Sequence, residues 1–280
     1  MTASVHAGSI TIGGGSPLVL FAGPCVIENR DMILRSAEHI LGVAGRVGMP
    51  LVFKSSFKKA NRTSLSGFSG LGRDAALAIL AEVRREFGLT VVTDVHTVED
   101  IAAAAEVVDM LQIPAFLCRQ TDLLLAAGAT GKAVNIKKGQ FLAPEDMRHA
   151  AEKVVSTGNT NVLLCERGSS FGYHNLVVDM RSLIIMRQLG YPVVMDATHA
   201  VQIPSEGVAS GGRPEFIAPL ARAAAAVGID ALFIETHPDP ANALSDAGSQ
   251  LPLSQLESLL KEVCAVDKAV RAVFRSKENS

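Results

Sequence analysis

The chain carries eight short apolar segments, and each of them ends at or near a side chain that is capable of chemistry. The segments are residues 18–22, 51–53, 90–93, 109–113, 133–136, 162–164, 193–195 and 231–234. Stretches with helical length and composition lie between them, for example residues 30–46, 73–87, 99–107, 144–156 and 213–227. Eight strand–helix units predict an α/β fold, the (β/α)8 TIM barrel, whose active site forms at the C-terminal ends of the strands. The sequence therefore indicates an enzyme.

The residues at or shortly after the segment ends are mostly charged. This set comprises Cys25, Lys54, Asp94 with His96, Gln112 with Arg119, Lys137, Glu166 with Arg167, Asp196 with His199, and Glu235 with His237. An open, doubly wound sheet is the alternative fold. Such a sheet usually has about five to seven strands and concentrates its functional residues at one crevice. Because chemistry-capable residues follow all eight segments, the closed barrel is favoured.

A short β-hairpin is predicted at residues 8–20, ahead of the first barrel strand. Ile10 and Ile12 alternate with other residues, and the glycines at 13–15 would form the turn. We expect this hairpin to close the floor of the barrel. The 280 residues suit a single domain spanning residues 1–280, since such barrels typically take about 250 residues.

Composition and charge favour a soluble, cytoplasmic protein that binds neither nucleic acid nor membranes. The net charge of −2 gives no electrostatic footprint for nucleic acid. The N-terminus lacks the basic and apolar regions of a secretory signal, and the longest apolar stretch is broken by Arg222 and Asp230. The four cysteines show neither CxxC pairing nor disulfide spacing, which indicates reduced thiols.

Four residues near the segment ends are candidate metal ligands: Cys25, His199, Glu235 and Asp246. A thiolate, an imidazole and two carboxylates suit a divalent transition metal. Three of these residues follow the first, seventh and eighth segments, which become neighbours when a barrel closes. No two of them form a short motif, however, so spacing alone leaves open whether Cys25 is a ligand or a buried apolar thiol.

A second candidate site is a set of cations at the strand ends. It comprises Lys54, Lys58, Lys59, Arg62, Arg119, Lys137, Lys138 and Arg167. So many cations in a mildly acidic protein predict the binding of more than one anionic group, and phosphate suits both lysine and arginine. Lys58 and Lys138 fit an exposed loop better than Lys54, which directly ends an apolar segment.

A series of short motifs runs along about residues 18–260. They are FAGPCVIE (21–28), FKSSF (53–57), KANR (59–62), TDVH (93–96), QIPAFLCRQTDL (112–123), NIKKGQF (135–141), ERG (166–168), FGY (171–173), DATH (196–199) and ETHPDP (235–240). In this order they resemble the 3-deoxy-D-manno-octulosonate 8-phosphate synthases. The related 3-deoxy-D-arabino-heptulosonate 7-phosphate synthases share the barrel and a similar metal site, but typically carry a Lys-Pro-Arg-Thr type of run where this chain has KANR.

The resemblance implies an activity and two substrates. The family condenses phosphoenolpyruvate with D-arabinose 5-phosphate and water, and it yields the eight-carbon sugar acid phosphate and inorganic phosphate for lipopolysaccharide synthesis. Two alternatives remain at this point. One is the seven-carbon synthase, which acts on erythrose 4-phosphate. The other is a barrel that binds sugar phosphates without catalysis.

The resemblance also implies roles for individual residues. Lys54, Lys59, Asp94, His96, Lys137 and His199 are expected in catalysis; Ser56, Asn61, Arg62, Thr63, Ser64, Gln112, Arg119, Lys137 and Arg167 are expected to bind substrate. Lys137 and Arg167 would hold the phosphate of phosphoenolpyruvate, and Lys54 and Lys59 its carboxylate side. Residues 61–64 would take arabinose 5-phosphate, with Thr63 standing where a serine is common. Arg119 would reach the site of an adjacent subunit in a homotetramer.

Cys25 stands at the position that separates two branches of this family. Metal-independent members have asparagine there, so the cysteine implies a metal-dependent enzyme. The resemblance then implies a divalent ion (zinc, iron, manganese or cobalt) held by Cys25, His199, Glu235 and Asp246.

Overall fold

A computed structural model gives the fold of residues 2–60, 68–203 and 211–278, with side chains as far as residue 273. In chain order the strands are β1 (Ser4–Ala7), β2 (Ile10–Gly13), β3 (Val19–Gly23), β4 (Leu51–Lys54), β5 (Thr90–Asp94), β6 (Met110–Ile113), β7 (Ala133–Lys137), β8 (Val162–Glu166), β9 (Ser169–Ser170), β10 (Leu176–Val177), β11 (Val193–Asp196), β12 (Gln202–Ile203), β13 (Gly211–Gly212), β14 (Ala231–His237) and β15 (Leu251–Pro252). The α-helices are α1 (Arg30–Val47), α2 (Arg73–Phe87), α3 (Val98–Val107), α4 (Thr121–Ala129), α5 (Met147–Val155), α6 (Met180–Gln188), α7 (Ile217–Val227) and α8 (Leu256–Glu278).

Eight parallel strands form a closed barrel, as the sequence predicts. Their order is β3-β4-β5-β6-β7-β8-β11-β14, and β14 returns to pair with β3. The pairing of β11 with β14, in which Asp196 lies opposite Phe233, completes the ring. An open sheet has no such closing pair, so the doubly wound alternative is wrong. The helices lie outside the barrel, where their apolar faces cover the strands.

Side chains alternate between the inside and the outside of the barrel along each strand. Inward-facing residues such as Phe21, Val92 and Phe233 form one apolar cluster, and outward-facing residues such as Leu20 and Val91 join the larger cluster under the helices. This period of two follows from strand geometry. At the C-terminal ends, which we call the mouth of the barrel, the same inward positions carry polar side chains.

An N-terminal hairpin fills the other end of the barrel, which is the predicted floor. Val5, Ala7 and Ile12 are buried in the inner apolar cluster. The hairpin also bonds to the turns that precede the strands, because Ala3 N donates to Gly190 O at 2.8 Å. These contacts confirm the predicted location of the hairpin.

The predicted bounds of the hairpin, residues 8–20, are wrong. It runs from Ser4 to Gly13, and Ser4 pairs with Gly13. The turn lies at Gly8, whose φ of +54° is readily adopted by glycine. A two-residue connection therefore suffices, and the run of glycines at 13–15, which contains the end of β2, leads into the connection to β3.

Local sequence signals explain several helix ends. Asn29 accepts a hydrogen bond from Met32 N and so caps α1, and Gly48 ends that helix in the left-handed conformation. Two predicted starts are too early, because short 3-10 turns at Pro144–Asp146 and Pro214–Phe216 precede α5 and α7. Within the described residues, no helix combines the length and hydropathy needed to cross a membrane.

Candidate active site

The polar side chains at the mouth continue the inward-facing series of the strands. Lys54 follows the inward-facing Val52 by two positions, and Asp94 follows Val92 in the same way. Gln112, Asn135, Lys137, Asp196 and Glu235 occupy the corresponding positions of their own strands. Strand alternation therefore directs these side chains into the same enclosed space. The predicted strand-end residues Lys54, Asp94, Gln112 and Lys137 are brought together.

Phe233 forms the base of this space. Lys137 Nζ lies 4.2 Å and Lys54 Nζ lies 5.3 Å from the centre of its ring. The His199 ring stands 5.8 Å from the same ring. Cation–π contact favours charged ammonium groups at this depth, and the ring separates them from the apolar interior below.

A hydrogen-bonded chain crosses four neighbouring strands. Asp94 accepts short hydrogen bonds from Ser56 Oγ and Gln112 Nε2, and Asn135 Nδ2 donates to Gln112 Oε1 at 2.9 Å. The sheet register causes this, because Asp94 pairs with Gln112 and Gln112 with Asn135. The buried amide of Gln112 is therefore held at both ends, whereas Asn135 Oδ1 has no hydrogen-bond partner within the described residues.

Lys54 is a buried cation between two carboxylates. Its Nζ lies 2.6 Å from Glu235 Oε1 and 3.6 Å from Asp94 Oδ2, and the side chain is 1% exposed. Burial lowers the pKa of Lys54, but the two carboxylates outweigh this effect and raise it. Burial likewise works against the charge of Asp94 and Glu235, yet the surrounding cations hold the pKa of each well below its usual range. All three groups are therefore charged at neutral pH.

Lys137, Asp196 and His199 form a second charged cluster. Lys137 Nζ lies 2.6 Å from Asp196 Oδ2, and His199 Nδ1 lies 2.7 Å from the same oxygen. Burial opposes ionisation of Asp196, but His199 and Lys137 hold its pKa well below its usual value. His199 comes from a 3-10 turn that follows β11 directly. The turn brings its ring back over the strand end that carries Asp196.

Three of the four predicted metal ligands gather at one point of the mouth. The potential ligand atoms of Cys25, Glu235 and Asp246 all lie within 4.8 Å of one another. The fourth, His199, directs Nε2 to within 3.6 Å of Glu235 Oε2 and 3.9 Å of Asp246 Oδ2. The segments meet because β3 and β14 are neighbours, with Glu235 opposite Gly23. A Cβ at Gly23 would lie 1.9 Å from Lys54 O, so only glycine fits there.

This donor set fits a divalent transition metal. A thiol, two carboxylates and an imidazole nitrogen combine soft, borderline and hard ligands. Burial, Asp246 and Glu235 together raise the pKa of Cys25 well above its usual value, so a cation is the group that would favour its thiolate. Lys59 stands beside the set, with Nζ 3.9 Å from Asp246 Oδ2. Burial lowers the pKa of Lys59, but Cys25 and the nearby carboxylates outweigh this and keep it well above normal.

Arg167 offers a free hydrogen-bonding group at the mouth. The residue is 5% exposed, and its Nη2 donates to Gln202 Oε1 at 2.8 Å. The buried Nη1 has no hydrogen-bond partner within the described residues. Burial lowers the pKa of Arg167 despite nearby Asp196. A buried guanidinium nitrogen without a partner is suited to bind an incoming anion.

The expectation that Lys138 fits an exposed loop is wrong. Its side chain is 1% exposed, and Nζ lies 3.4 Å from Glu166 Oε1 and 3.0 Å from Ser169 Oγ. Alternation along β7 explains this, because Lys138 follows the inward-facing Lys137 and points the other way. Lys58 is one-third exposed and pairs with Asp100.

Two other predicted residues make no ion pair or hydrogen bond with the charged clusters through their side chains within the described residues. His96 is half-buried against Phe57, and its Nδ1 has no partner within the described residues. Burial lowers the pKa of His96. Arg119 is exposed beyond the mouth, and it lines a surface pocket with His149 and Lys153. The predicted substrate-binding residues Asn61, Arg62, Thr63 and Ser64 lie outside the described residues.

Sequence reasoning missed several residues of the site. Asn135 and Gln202 were not expected, although each holds a predicted residue in place. Asp196 was noted only as a strand end. Its position, three residues before His199 in the DATH motif, is a signal that could have placed it in the site.

Comparison with known proteins decides the family. The sequence model of the DAHP synthetase I family matches residues 2–272. The chain belongs to the DAHP synthetase I family. Within this family it is similar to proteins named 2-dehydro-3-deoxyphosphooctonate aldolase. The protein from Trichlorobacter lovleyi is 56% identical over 97% of this chain and 100% of its own length.

Two further relatives carry the same name. The protein from Syntrophotalea carbinolica is 57% identical over 97% of this chain and 98% of its own length. The protein from Acidithiobacillus ferrooxidans is 57% identical over 91% of each chain. The similarity therefore covers all eight barrel strands and the mouth residues described above.

Proposed function

We propose that this family member condenses phosphoenolpyruvate with D-arabinose 5-phosphate and water. The products are 3-deoxy-D-manno-octulosonate 8-phosphate and inorganic phosphate, in the biosynthesis of the lipopolysaccharide sugar KDO. The observation that carries this proposal is the near-full-length similarity to relatives named 2-dehydro-3-deoxyphosphooctonate aldolase. The reaction joins a three-carbon acid phosphate to a five-carbon sugar phosphate, and it thus needs a mouth that binds several anionic groups.

Phosphoenolpyruvate would bind between the two charged clusters. Its phosphate would occupy the space beside Lys137 and Nη1 of Arg167, which has no partner among the described residues. Its carboxylate would lie towards Lys54 and Lys59, which their acidic neighbours keep charged. Ser56 and Gln112 border the same space and would contribute hydrogen bonds. A bidentate arginine and point-charge lysines are a suitable combination for an acid phosphate.

Arabinose 5-phosphate would be held by Asn61, Arg62, Thr63 and Ser64, which follow β4 and Lys59 in the chain. We propose that Arg119 serves the site of a neighbouring subunit in a homotetramer, which agrees with its exposed position. We further assign the whole chain, residues 1–280, to one barrel domain and the reaction to the cytoplasm.

The metal-dependent form of the enzyme is proposed, with Cys25, His199, Glu235 and Asp246 as ligands of zinc, iron, manganese or cobalt. The closeness of their ligand atoms supports this assignment. Bound there, the ion would supply Lewis acidity that orients and polarises the aldehyde of the sugar phosphate or positions water.

The remaining catalytic residues would act through charge and proton transfer. Lys54, whose charge Glu235 and Asp94 favour, and Lys137, which contacts Asp196, would stabilise negative charge that develops on the substrates. Asp94 is held ionised and would serve as an acceptor that orients Ser56 and Gln112. Burial lowers the pKa of His96, which favours the neutral ring, and Nδ1, which has no hydrogen-bond partner within the described residues, would exchange a proton with the substrates.

A two-aldehyde assay tests this function. The purified protein is supplied with phosphoenolpyruvate and either arabinose 5-phosphate or erythrose 4-phosphate, and both phosphate release and product mass are measured. We expect phosphate release and an eight-carbon product with arabinose 5-phosphate. Faster turnover of erythrose 4-phosphate would assign the chain to the seven-carbon reaction of its family instead. The absence of phosphate release with either aldehyde would indicate a non-catalytic barrel.

A further inference from the structure

A buried amide joins the two chain segments that carry Cys25 and Asp246. Gln250 is 2% exposed. Its Oε1 accepts a hydrogen bond from Cys25 N at 3.2 Å, and its Nε2 donates to Ser245 O at 2.9 Å. Ser245 immediately precedes Asp246. One side chain therefore sets the separation of two backbone segments, each of which presents a proposed metal ligand.

Gln250 is itself fixed to the strand that carries a third ligand. The next residue, Leu251, pairs with Thr236 in the sheet, and Thr236 Oγ1 donates to Leu251 O at 2.8 Å. Thr236 follows Glu235 directly. The amide thus connects Cys25 and the segment of Asp246 to the end of β14, where Glu235 lies.

The conformation of Asp246 shows why such an anchor is needed. Its φ is +48°, which is uncommon for a residue other than glycine. A backbone in this region persists only where its surroundings hold it. The carboxylate is nevertheless placed with Oδ2 3.1 Å from Cys25 Sγ. The hydrogen bond from Gln250 to the adjacent carbonyl is one contact that restrains this segment.

We infer that Gln250 is a positioning residue that sets the affinity of the site for its metal without contacting the ion. The inference rests on the proposed metal site. Residues that orient ligands from outside the coordination sphere typically change metal affinity by about 10–100-fold when they are replaced. Gln250 would do so by keeping Cys25 Sγ and Asp246 Oδ2 at a distance that one ion can bridge.

Cobalt binding by the full-length protein tests this inference without using activity. The variant Gln250→Met keeps the length of the side chain and removes both hydrogen bonds. Cobalt affinity is measured by competition with a chelator. The thiolate-to-cobalt charge-transfer absorption band reports whether Cys25 is bonded to the ion. We expect the affinity of Gln250→Met to fall by roughly 10–100-fold and its thiolate band to weaken or shift.

Asn159→Ala is the matched control. Asn159 is also a buried amide that holds backbone groups, with Nδ2 donating to Gly128 O and Lys132 O, but it lies before β8 near the floor. We expect Asn159→Ala to have a lower melting temperature than the wild type and an unchanged cobalt affinity. If circular dichroism shows Gln250→Met to be unfolded, Gln250→Asn replaces it, since the shorter amide cannot reach both partners.

The outcomes separate this inference from the proposed function. Wild-type affinity and an unchanged band in the folded Gln250 variant would overturn the positioning role and leave the metal site intact. A wild-type protein that binds no cobalt and shows no thiolate band would overturn the metal site, and the role of Gln250 with it.

Discussion

Asp196 Oδ2 lies 2.6 Å from Lys137 Nζ and 2.7 Å from His199 Nδ1, so one carboxylate oxygen serves both residues. A carboxylate accepts hydrogen bonds but does not donate them, so this contact favours a hydrogen on Nδ1 of the ring. In that tautomer Nε2, which lies 3.6 Å from Glu235 Oε2 and 3.9 Å from Asp246 Oδ2, would present its lone pair to a metal ion. The same contact holds the ammonium of Lys137 above the Phe233 ring. Asp196 thus links the proposed phosphate site to the proposed metal site.

The first prediction concerns this link. Asp196→Asn introduces an amide that can donate to Nδ1 and leave the hydrogen on Nε2, where it blocks coordination. We expect metal affinity to fall by roughly 10–100-fold, measured as metal content after dialysis against a metal buffer. Asp230→Asn is the control, because this buried carboxylate binds Val193 N near the floor. Equal metal content in wild type and Asp196→Asn would show that the carboxylate does not control the ring.

Arg167→Lys tests the proposed phosphate contact. The substitution keeps a positive charge but removes both Nη1, which is without a partner in the part of the chain that the structure describes, and the bond to Gln202. Loss of a charge-assisted hydrogen bond costs about 1.5–3 kcal/mol, so we expect the KM for phosphoenolpyruvate to rise by roughly 10–150-fold. Arg222→Lys, which changes a surface ion pair with Glu262, should leave it unaltered. A normal KM in Arg167→Lys would mean that the guanidinium does not bind this substrate.

Arg62→Ala tests the assignment of residues 61–64 to arabinose 5-phosphate. Removing a guanidinium that binds a phosphate should reduce kcat/KM for arabinose 5-phosphate by roughly 10–150-fold. The KM for phosphoenolpyruvate should change much less, which separates a local effect from general damage. Arg35→Ala, on the exposed side of α1, is the control. An unchanged kcat/KM for the sugar would contradict the assignment.

Metal removal and Cys25→Asn test the proposed cofactor together. Chelation should abolish turnover, and added manganese, cobalt or zinc should restore it to different extents. In Cys25→Asn the thiolate ligand is lost, so metal affinity should collapse while circular dichroism stays that of the wild type. Cys264→Ser, a change on α8 far from the mouth, should retain its metal. If chelators do not affect the rate of a metal-free wild type, Cys25 is only a buried thiol.

The charge of Asp94 predicts a pH-dependent contribution to stability. Burial raises the pKa of Asp94, but Lys54, Lys59 and Lys137 outweigh it and hold the pKa far below normal. A carboxyl whose pKa is depressed by folding stabilises the fold above its unfolded-state pKa of about 3.9. This stabilisation is lost as the pH falls through the folded-state value.

Asp94→Asn should therefore lower the free energy of unfolding by about 1.5–3 kcal/mol at pH 7. The difference in the free energy of unfolding between wild type and Asp94→Asn should become smaller below about pH 4. Urea unfolding at a series of pH values measures it. Asp74→Asn, at an exposed position on α2, should change the free energy by less than about 0.5 kcal/mol. A difference that is constant from pH 7 to pH 3 would show that the charge of Asp94 is not the cause.

Much of the barrel could be predicted because its signals are local. The bounds of α2, Arg73–Phe87, agree with the prediction, since Gly88 ends the helix in the left-handed conformation. Polar residues such as Lys54 and Asp94 could be placed at the mouth because they directly end apolar strands. The hairpin was misplaced because a run of three glycines is a stronger local turn signal than the single Gly8 that forms the turn.

The residues that orient the site were harder to predict. Gln202 lies in the two-residue strand β12 and Gln250 just before β15, both too short to show periodicity, and their partners Arg167 and Cys25 are 35 and 225 positions away. Only the closed ring brings such segments together. Lys138 was misjudged because adjacent lysines are usually exposed, whereas the strand turns this one towards Glu166 under the outer loops.

Val5, Ala7 and Ile12 of the N-terminal hairpin restrict the route by which small molecules reach the barrel interior. The hairpin closes the floor of the barrel. Small molecules that bind beside Lys137 therefore enter through the mouth, and products leave through the same opening. A finished product that lingers above Phe233 obstructs the next arrival. The mouth must therefore be vacated before the next molecule can bind beside Lys137.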